Sequence, residues 1–265
     1  MKKVIVQFFL LFTVSVKAQI QDTSDWKMIR YKIQDETFFI KLNPNDPVHY
    51  FNRGNYERIL TMYKEALIDY TNSLEFSPKP AVYYNRALTY SLLNSHKEAI
   101  ADYTKAIELF PDYDKAYDNR GVSYFELGLF ENAVNDGLKA IAINPQFANA
   151  YYNLGKTKGE LGSYDEAIVY YGKAIKLDPK CIDCYNNMGT VKAKKANYTE
   201  AIIDFDAAIQ LDSTYAKPYA NKGTANLNLG NFKEAILNFE LAIKLDPANK
   251  EFQDKLELAK SKKSN

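Results

Sequence analysis

One arrangement of apolar and polar positions returns every 33 or 34 residues along most of the chain. An aromatic stands at Tyr50, Tyr83, Tyr117, Tyr151, Tyr185 and Tyr219. Four residues after each comes a small one: Gly54, Ala87, Gly121, Gly155, Gly189 and Gly223. Positions i and i+4 share a helix face, so this spacing predicts a first helix with an aromatic and a small residue in contact. Twelve residues beyond each small position stands an alanine: Ala66, Ala99, Ala133, Ala167, Ala201 and Ala235. An aromatic follows four later in five units (Tyr70, Tyr103, Tyr171, Phe205, Phe239), then Ser73, Ala106, Ala140, Ala174, Ala208 or Ala242. That spacing predicts a second, antiparallel helix approaching the first at its small residues.

The punctuation agrees with two helices per unit. Pro44, Pro78, Pro111, Pro145, Pro179 and Pro247 close successive units, with Ser213 in the vacant slot. Proline pushes the residue before it out of the helical region, so it ends the second helix. Gly128, Gly162 and Gly230 supply the turn between the helices. Thr61, Asn94 and Ala196 occupy that slot elsewhere, and a tighter or less ideal turn is expected there. A lone hairpin cannot bury its apolar face, but a stack of them can.

These columns resemble the tetratricopeptide repeat family over residues 45–246. Tyr151-Tyr-Asn-Leu-Gly155, Leu161-Gly-Ser-Tyr-Asp-Glu-Ala167 and Ala174-Ile-Lys-Leu-Asp-Pro179 carry the resemblance most fully. It implies an all-α, right-handed α-solenoid of about six stacked helix hairpins with capping helices at both ends. Repeats are expected near 45–78, 79–111, 112–145, 146–179, 180–213 and 214–247. Residues 19–44 read as an N-terminal capping segment and 248–265 as a C-terminal capping helix and tail. Two departures matter. Tyrosine replaces the family's usual tryptophan at the first aromatic column, which preserves packing. Gly137 stands where the second helix wants an aromatic, leaving either a void or a shifted neighbouring helix; if a void, Gly137→Tyr fills it and stabilises the third repeat.

Composition narrows the function. Lys+Arg 34 against Asp+Glu 33 leaves a formal charge of +1. Without residues 1–18, which hold Lys2, Lys3 and Lys17 but no acid, 31 bases face 33 acids. No field of that size steers the chain to nucleic acid or anionic lipid. Residues 1–18 read as a secretory signal peptide: a basic start, an apolar run from Val4 to Val16, then Val16-Lys17-Ala18 before the cut. The run is shorter than the ~20 residues that cross a bilayer. The protein is therefore expected to be exported, periplasmic or secreted, with no membrane insertion after cleavage. The leader resembles those common in Bacteroidetes.

Catalytic material is scarce. His49 and His96 fall in different repeats, and His96 occupies an aromatic column as a packing residue. No phosphate-cradling glycine loop, nucleophile elbow or metal-spaced His pair is present, so no cofactor, metal or enzyme activity is expected. Cys181-Ile-Asp-Cys184 has three readings: a structural disulfide closing a short loop, two small packing residues, or a redox-active pair.

The better lead is an uninterrupted column of asparagines two residues after each aromatic: Asn52, Asn85, Asn119, Asn153, Asn187 and Asn221. In the family this position looks into the concave groove. An amide offers a donor and an acceptor, so the column can pair with an extended peptide; equally, each amide can bond to a neighbouring repeat and hold the stack. Phe51, Tyr84, Phe125 and Tyr152 are expected to add aromatic contacts in the groove. Its charges are mixed, with Arg58, Lys115, Lys156, Lys194 and Lys217 against Asp118, Glu126, Glu160 and Asp183. The family's two-carboxylate clamp for chaperone tails needs a lysine that every repeat here lacks. The expected function is a non-catalytic exported scaffold binding a peptide or protein segment. The alternative is a structural subunit of the cell envelope that associates through its convex face or terminal helices.

Overall fold

A computed structural model describes residues 24–264, and the signal-peptide reading lies outside them. The described residues form fourteen α-helices and no strand. They fall into two compact units, the first ending at Ala116 and the second starting at Tyr117. The first unit holds α1 (Ser24–Leu42), α2 (Pro47–Ile59), α3 (Tyr63–Phe76), α4 (Pro80–Leu92) and α5 (His96–Leu109). The boundary falls in the first turn of α6 (Asp114–Glu126). The second unit continues with α7 (Phe130–Ile143), α8 (Ala148–Glu160), α9 (Tyr164–Leu177), α10 (Ile182–Lys194) and α11 (Tyr198–Leu211). It ends with α12 (Ala216–Asn228), α13 (Phe232–Leu245) and α14 (Lys250–Ser264).

Within each unit the hairpins stack in chain order. The first helix of a hairpin packs on its own second helix, as in α2 on α3 and α8 on α9, and on the second helix of the hairpin before, as in α4 on α3 and α10 on α9. The ends follow from local chemistry. The residue after a second helix is extended: at Ser77 (ψ 98°) the following Pro78 requires it, and Asp212 (ψ 99°) is extended before Ser213 too. Asp46 caps α2 by accepting a hydrogen bond from the Val48 amide at 2.9 Å.

The three turns without glycine are not tighter. Thr61, Asn94 and Ala196 have φ of 61°, 58° and 62°, in the same left-handed region as Gly128, Gly162 and Gly230. The turn geometry is kept, and the side chains carry a strain of about 1–2 kcal/mol at the non-glycine residues.

The core repeats with the sequence. Ala66, Tyr70, Ala99, Tyr103, Ala167, Ala201, Phe205, Ala235 and Phe239 are fully buried, and Tyr171 nearly so. Each ring lies against the small column of the preceding helix. A Cβ at Gly155 would meet the Tyr171 ring at 2.8 Å, and one at Gly189 would meet Phe205 at 2.7 Å. Contacts that short do not occur, so glycine there permits the approach of the two helices.

The third hairpin solves the problem differently. Gly137 presents no ring to Gly121, but the space is not empty: Leu154, from α8, fills it and is 1% exposed. A Cβ at Gly137 would lie 2.7 Å from Leu154 Cγ. The cavity left beside Gly121, Gly137 and Leu154 measures about 20 Å³, room for roughly one water and not for a ring. The expectation of a fillable void is therefore wrong, because the next hairpin has already supplied the apolar mass. Gly137→Tyr is expected to destabilise the protein by about 1–3 kcal/mol through overpacking, and thermal melting of the variant checks it; a raised midpoint would contradict the packing described.

Candidate functional site

The asparagine column lies at half-buried positions on the first helices. In the second unit its amides join successive hairpins. Asn153 Nδ2 donates to Asp118 Oδ1 at 2.9 Å, Asn187 Nδ2 to the Tyr152 hydroxyl at 3.2 Å, and Asn221 Nδ2 to Asn186 Oδ1 at 2.9 Å. Each acceptor stands one residue before the asparagine of the previous hairpin. In the first unit Asn85 Nδ2 donates to Asn55 Oδ1 at 3.0 Å, and Asn52 Nδ2 to Glu36 Oε1 at 3.0 Å. Glu36 also takes His49 Nδ1 at 2.6 Å, so α1 receives α2 as a preceding second helix would. The NH₂ end of these five amides is thus anchored. For Asn52, Asn85, Asn153 and Asn221, no described residue donates to the carbonyl oxygen.

The aromatics chosen from the sequence are largely engaged inside the fold. Phe51 packs on Tyr70 with centroids 6.2 Å apart. Tyr84 stacks on Tyr113 at 4.8 Å and tilts on Tyr103 at 5.8 Å. Tyr152 leans on Tyr171 at 6.1 Å, and burial, then the Asp183 charge, raises its phenol pKa above the ordinary range. Phe125 is half-buried beside Phe130, with the Lys156 ammonium 3.9 Å over its face. These rings position the helices.

Next to the asparagines runs a column that sequence reasoning missed. Arg53, Arg86 and Arg120 each follow an asparagine directly, and Asp69, Asp102 and Asp136 each stand three residues after the conserved-spacing alanine. Arg53 Nε and Nη2 donate to the two Asp69 oxygens at 2.6 and 2.8 Å. Arg86 grips Asp102 in the same way at 2.6 and 2.8 Å, and Arg120 grips Asp136 at 2.8 Å in both bonds. The geometry is the two-toothed one that makes arginine–carboxylate pairs strong. Arg53 and Arg86 also donate to Thr37 and Thr71 at 3.0 Å, tying in the preceding second helix. The signal was available: the same 33–34-residue period, in residue types that can pair. The pattern stops at Leu154, where Tyr170 replaces the aspartate.

Glu57 lies beside this column and is 7% exposed. Its Oε2 is buried without a partner. Burial first, then the Asp69 charge, pushes its pKa up to about 8, with Arg53 opposing.

Cys181 and Cys184 are joined by a disulfide across Cα atoms 5.3 Å apart. Cys181 caps α10, its Sγ accepting from the Cys184 amide at 3.2 Å, and Cys184 is fully buried. Among the described residues no group of three or more His, Cys, Asp or Glu could hold a metal ion, and no helix is long and apolar enough to cross a membrane.

Comparison with known proteins follows the same columns. Profiles described as tetratricopeptide repeat match residues 80–113, 148–181, 182–215 and 216–249, and one described as TPR repeat matches 121–162. Together they cover more than half of the chain, which belongs to the tetratricopeptide repeat family. A tetratricopeptide repeat protein from Parabacteroides merdae ATCC 43184 is similar in structure, with a TM-score of 0.67 and 22% identity over 92% of this chain and 97% of that one. A chain of the APC/C hetero-tetramer Cut9–Hcn1 aligns with a TM-score of 0.72 and 19% identity over 87% of this chain; the chain spans 46% of its length. YrrB, titled a TPR protein with an unusual peptide-binding site, aligns with a TM-score of 0.59 and 23% identity over 69% of this chain and 95% of that one. At these identities the likeness is one of fold. No curated protein matches the chain.

Glu57 makes stability depend on pH. The folded chain keeps a proton that the unfolded chain releases above about pH 4.3, so this contribution is full below that pH and is lost as pH rises toward 8. The melting midpoint of the parent should therefore fall more between pH 5 and pH 8.5 than that of Glu57→Gln. Thermal melts of both at the two pH values check it, and equal shifts would show that Glu57 is not the group involved.

Proposed function

We propose that this protein is an exported, non-catalytic scaffold that holds an extended peptide or protein segment along the asparagine-bearing face of the first helices within a unit. Its fold family generally serves protein–protein interaction. The observation that supports this reading is the anchoring of the amides. With Nδ2 fixed on a neighbouring hairpin, the carbonyl oxygens of Asn85, Asn153 and Asn221 are held in place as acceptors for a partner's backbone N–H. A preorganised acceptor costs little ordering entropy on binding. Export is supported by the leader-like residues 1–18 and by a cysteine pair suited to an oxidising compartment.

The same amides also hold the stack, so the test must separate the two roles. Asn85→Ala with Asn153→Ala should lower stability by about 1–3 kcal/mol, from two lost bonds and their unpaired partners. It should also reduce capture of the partner from an envelope fraction at least tenfold well below the melting temperature. Ala208→Gly, which destabilises by about 1 kcal/mol or more in a buried helix, serves as the control. Capture lost equally in the control, or retained in the asparagine variant, would defeat the reading.

A second reading has an observation of its own. Along one face of α1, Met28, Tyr31, Phe38 and Leu42 are exposed, at 57–66% each. A stripe of that kind favours association through the terminal helix. If it operates, the protein should sediment as an oligomer and Tyr31→Ser with Phe38→Ser should convert it to a monomer of unchanged melting temperature; a monomeric parent rules it out for self-association.

A further inference from the structure

Two features of the Cys181–Cys184 bond set it apart from a structural cross-link. The first is that the hairpin can be built without it. Val82, Ala116, Ala150 and Pro218 stand at the place of Cys184 in 34-residue steps, and all are buried. The chain has 2 cysteines in all, so the hairpins of those four residues stand without a disulfide. A reduced Cys184 is one more small residue in that slot, packed against Tyr151 and Ala174. The bond spans a sequence separation of 3, and so short a loop contributes little through unfolded-state entropy.

The second feature is where the sulfurs lie. Cys184 is fully buried, whereas Cys181 is partly exposed at the N-cap of α10. Cys181 Sγ accepts a hydrogen bond from the Cys184 amide at 3.2 Å. In the same slot Lys79, Phe147 and Tyr215 make no side-chain cap. Once reduced, Cys181 has its sulfur at the positive end of a helix with an amide already aimed at it. That setting favours the thiolate, the reactive form of the side chain. The carboxylate between the cysteines, on Asp183, accepts from the Tyr215 hydroxyl at 3.0 Å, which offsets part of its opposing charge.

We infer that Cys181–Cys184 is a thiol–disulfide exchange site that oxidises a pair of thiols carried on one protein or peptide. A substrate thiolate attacks the exposed Cys181 Sγ. The Cys181–Cys184 bond breaks, and its electron pair leaves on Cys184 Sγ, which takes up a proton. The second substrate thiolate attacks the substrate sulfur of this mixed disulfide, and Cys181 departs as a thiolate steadied by the Cys184 amide, then takes up a proton. The substrate has lost two electrons and two protons and gained a disulfide; the protein has gained both as two thiols. The exchange is reversible, so its direction follows the redox state of the substrate. It is independent of the asparagine face and goes beyond the scaffold reading.

The oxidised full chain, mixed without air with the reduced peptide acetyl-Ala-Cys-Ala-Ala-Cys-Ala-amide, provides the test. Alkylation and mass spectrometry count the thiols on both. The peptide should be oxidised at least tenfold faster than by oxidised glutathione at equal concentration, with two protein thiols appearing per peptide disulfide. Cys184→Ala places in that slot the residue found at Ala116 and Ala150, so it should fold. Given oxidised glutathione at pH 6, this variant should take up one glutathione on Cys181 at least tenfold faster than free cysteine does. Cys181→Ser should leave Cys184 unmodified over the same time. The reduced parent should melt within about 5 °C of the oxidised one. A peptide oxidised no faster than by glutathione, a Cys181 no more reactive than free cysteine, or a reduced chain that melts further below the oxidised one would overturn the inference and leave the bond a structural staple.

Discussion

The close approach of two helices at a residue with no bulk, beneath an aromatic ring, is the contact on which the rest of this structure depends. Neither helix of a hairpin is apolar enough to be stable alone, and most helical stability comes from packing an amphipathic face. With Gly155 under Tyr171 or Gly223 under Phe239, the backbones come near enough for the ring to be fully enclosed. Burying an aromatic or large aliphatic side chain contributes about 1.5–3 kcal/mol, and the stack repeats that contribution at each hairpin. Nearest-neighbour terms of this kind are what a repeat protein's stability is made of.

The third and fourth hairpins show what happens when one member of the contact is missing. At Gly137 the ring is gone, and at Leu154 the arginine of the neighbouring column is gone as well. The two absences are one arrangement. An arginine at position 154 would point its guanidinium at Tyr170, which has no carboxylate to offer, whereas leucine buries itself over Gly137. Before that point Arg53, Arg86 and Arg120 clamp their aspartates; after it Lys192 and Lys222 pair singly with Asp204 and Asp206. Lysine has one point charge where arginine has a fork, so the later hairpins rely more on their rings and small residues.

The asparagine column links packing to the proposed binding role. Its amides bond across hairpins 31–35 residues apart in sequence, so each contributes to the stack before any partner arrives. That is no argument against recognition. A carbonyl oxygen fixed by its own NH₂ group is a better acceptor than one on a freely rotating side chain, because its orientation is already set. The stack and the proposed recognition draw on opposite ends of the same group.

The helix hairpins, their order, the closing prolines and the alanine–aromatic core could all be read from the spacing of residues. Periodicity reports which side chains share a face, and that depends only on local helical geometry. The sequence alone also singled out the asparagines and the Cys181–Cys184 pair. It offered the disulfide as one reading of the cysteine pair but did not reveal the partners of the asparagines. That Asn153 reaches Asp118 and that Leu154 fills the place above Gly137 are relations between helices. The same limit applies to the turns: Thr61, Asn94 and Ala196 keep the glycine geometry because packing on both sides holds the helices in place, overriding the local preference. Contacts across the stack are set by how far each helix is displaced and rotated against the next, a quantity that no period in a single sequence contains.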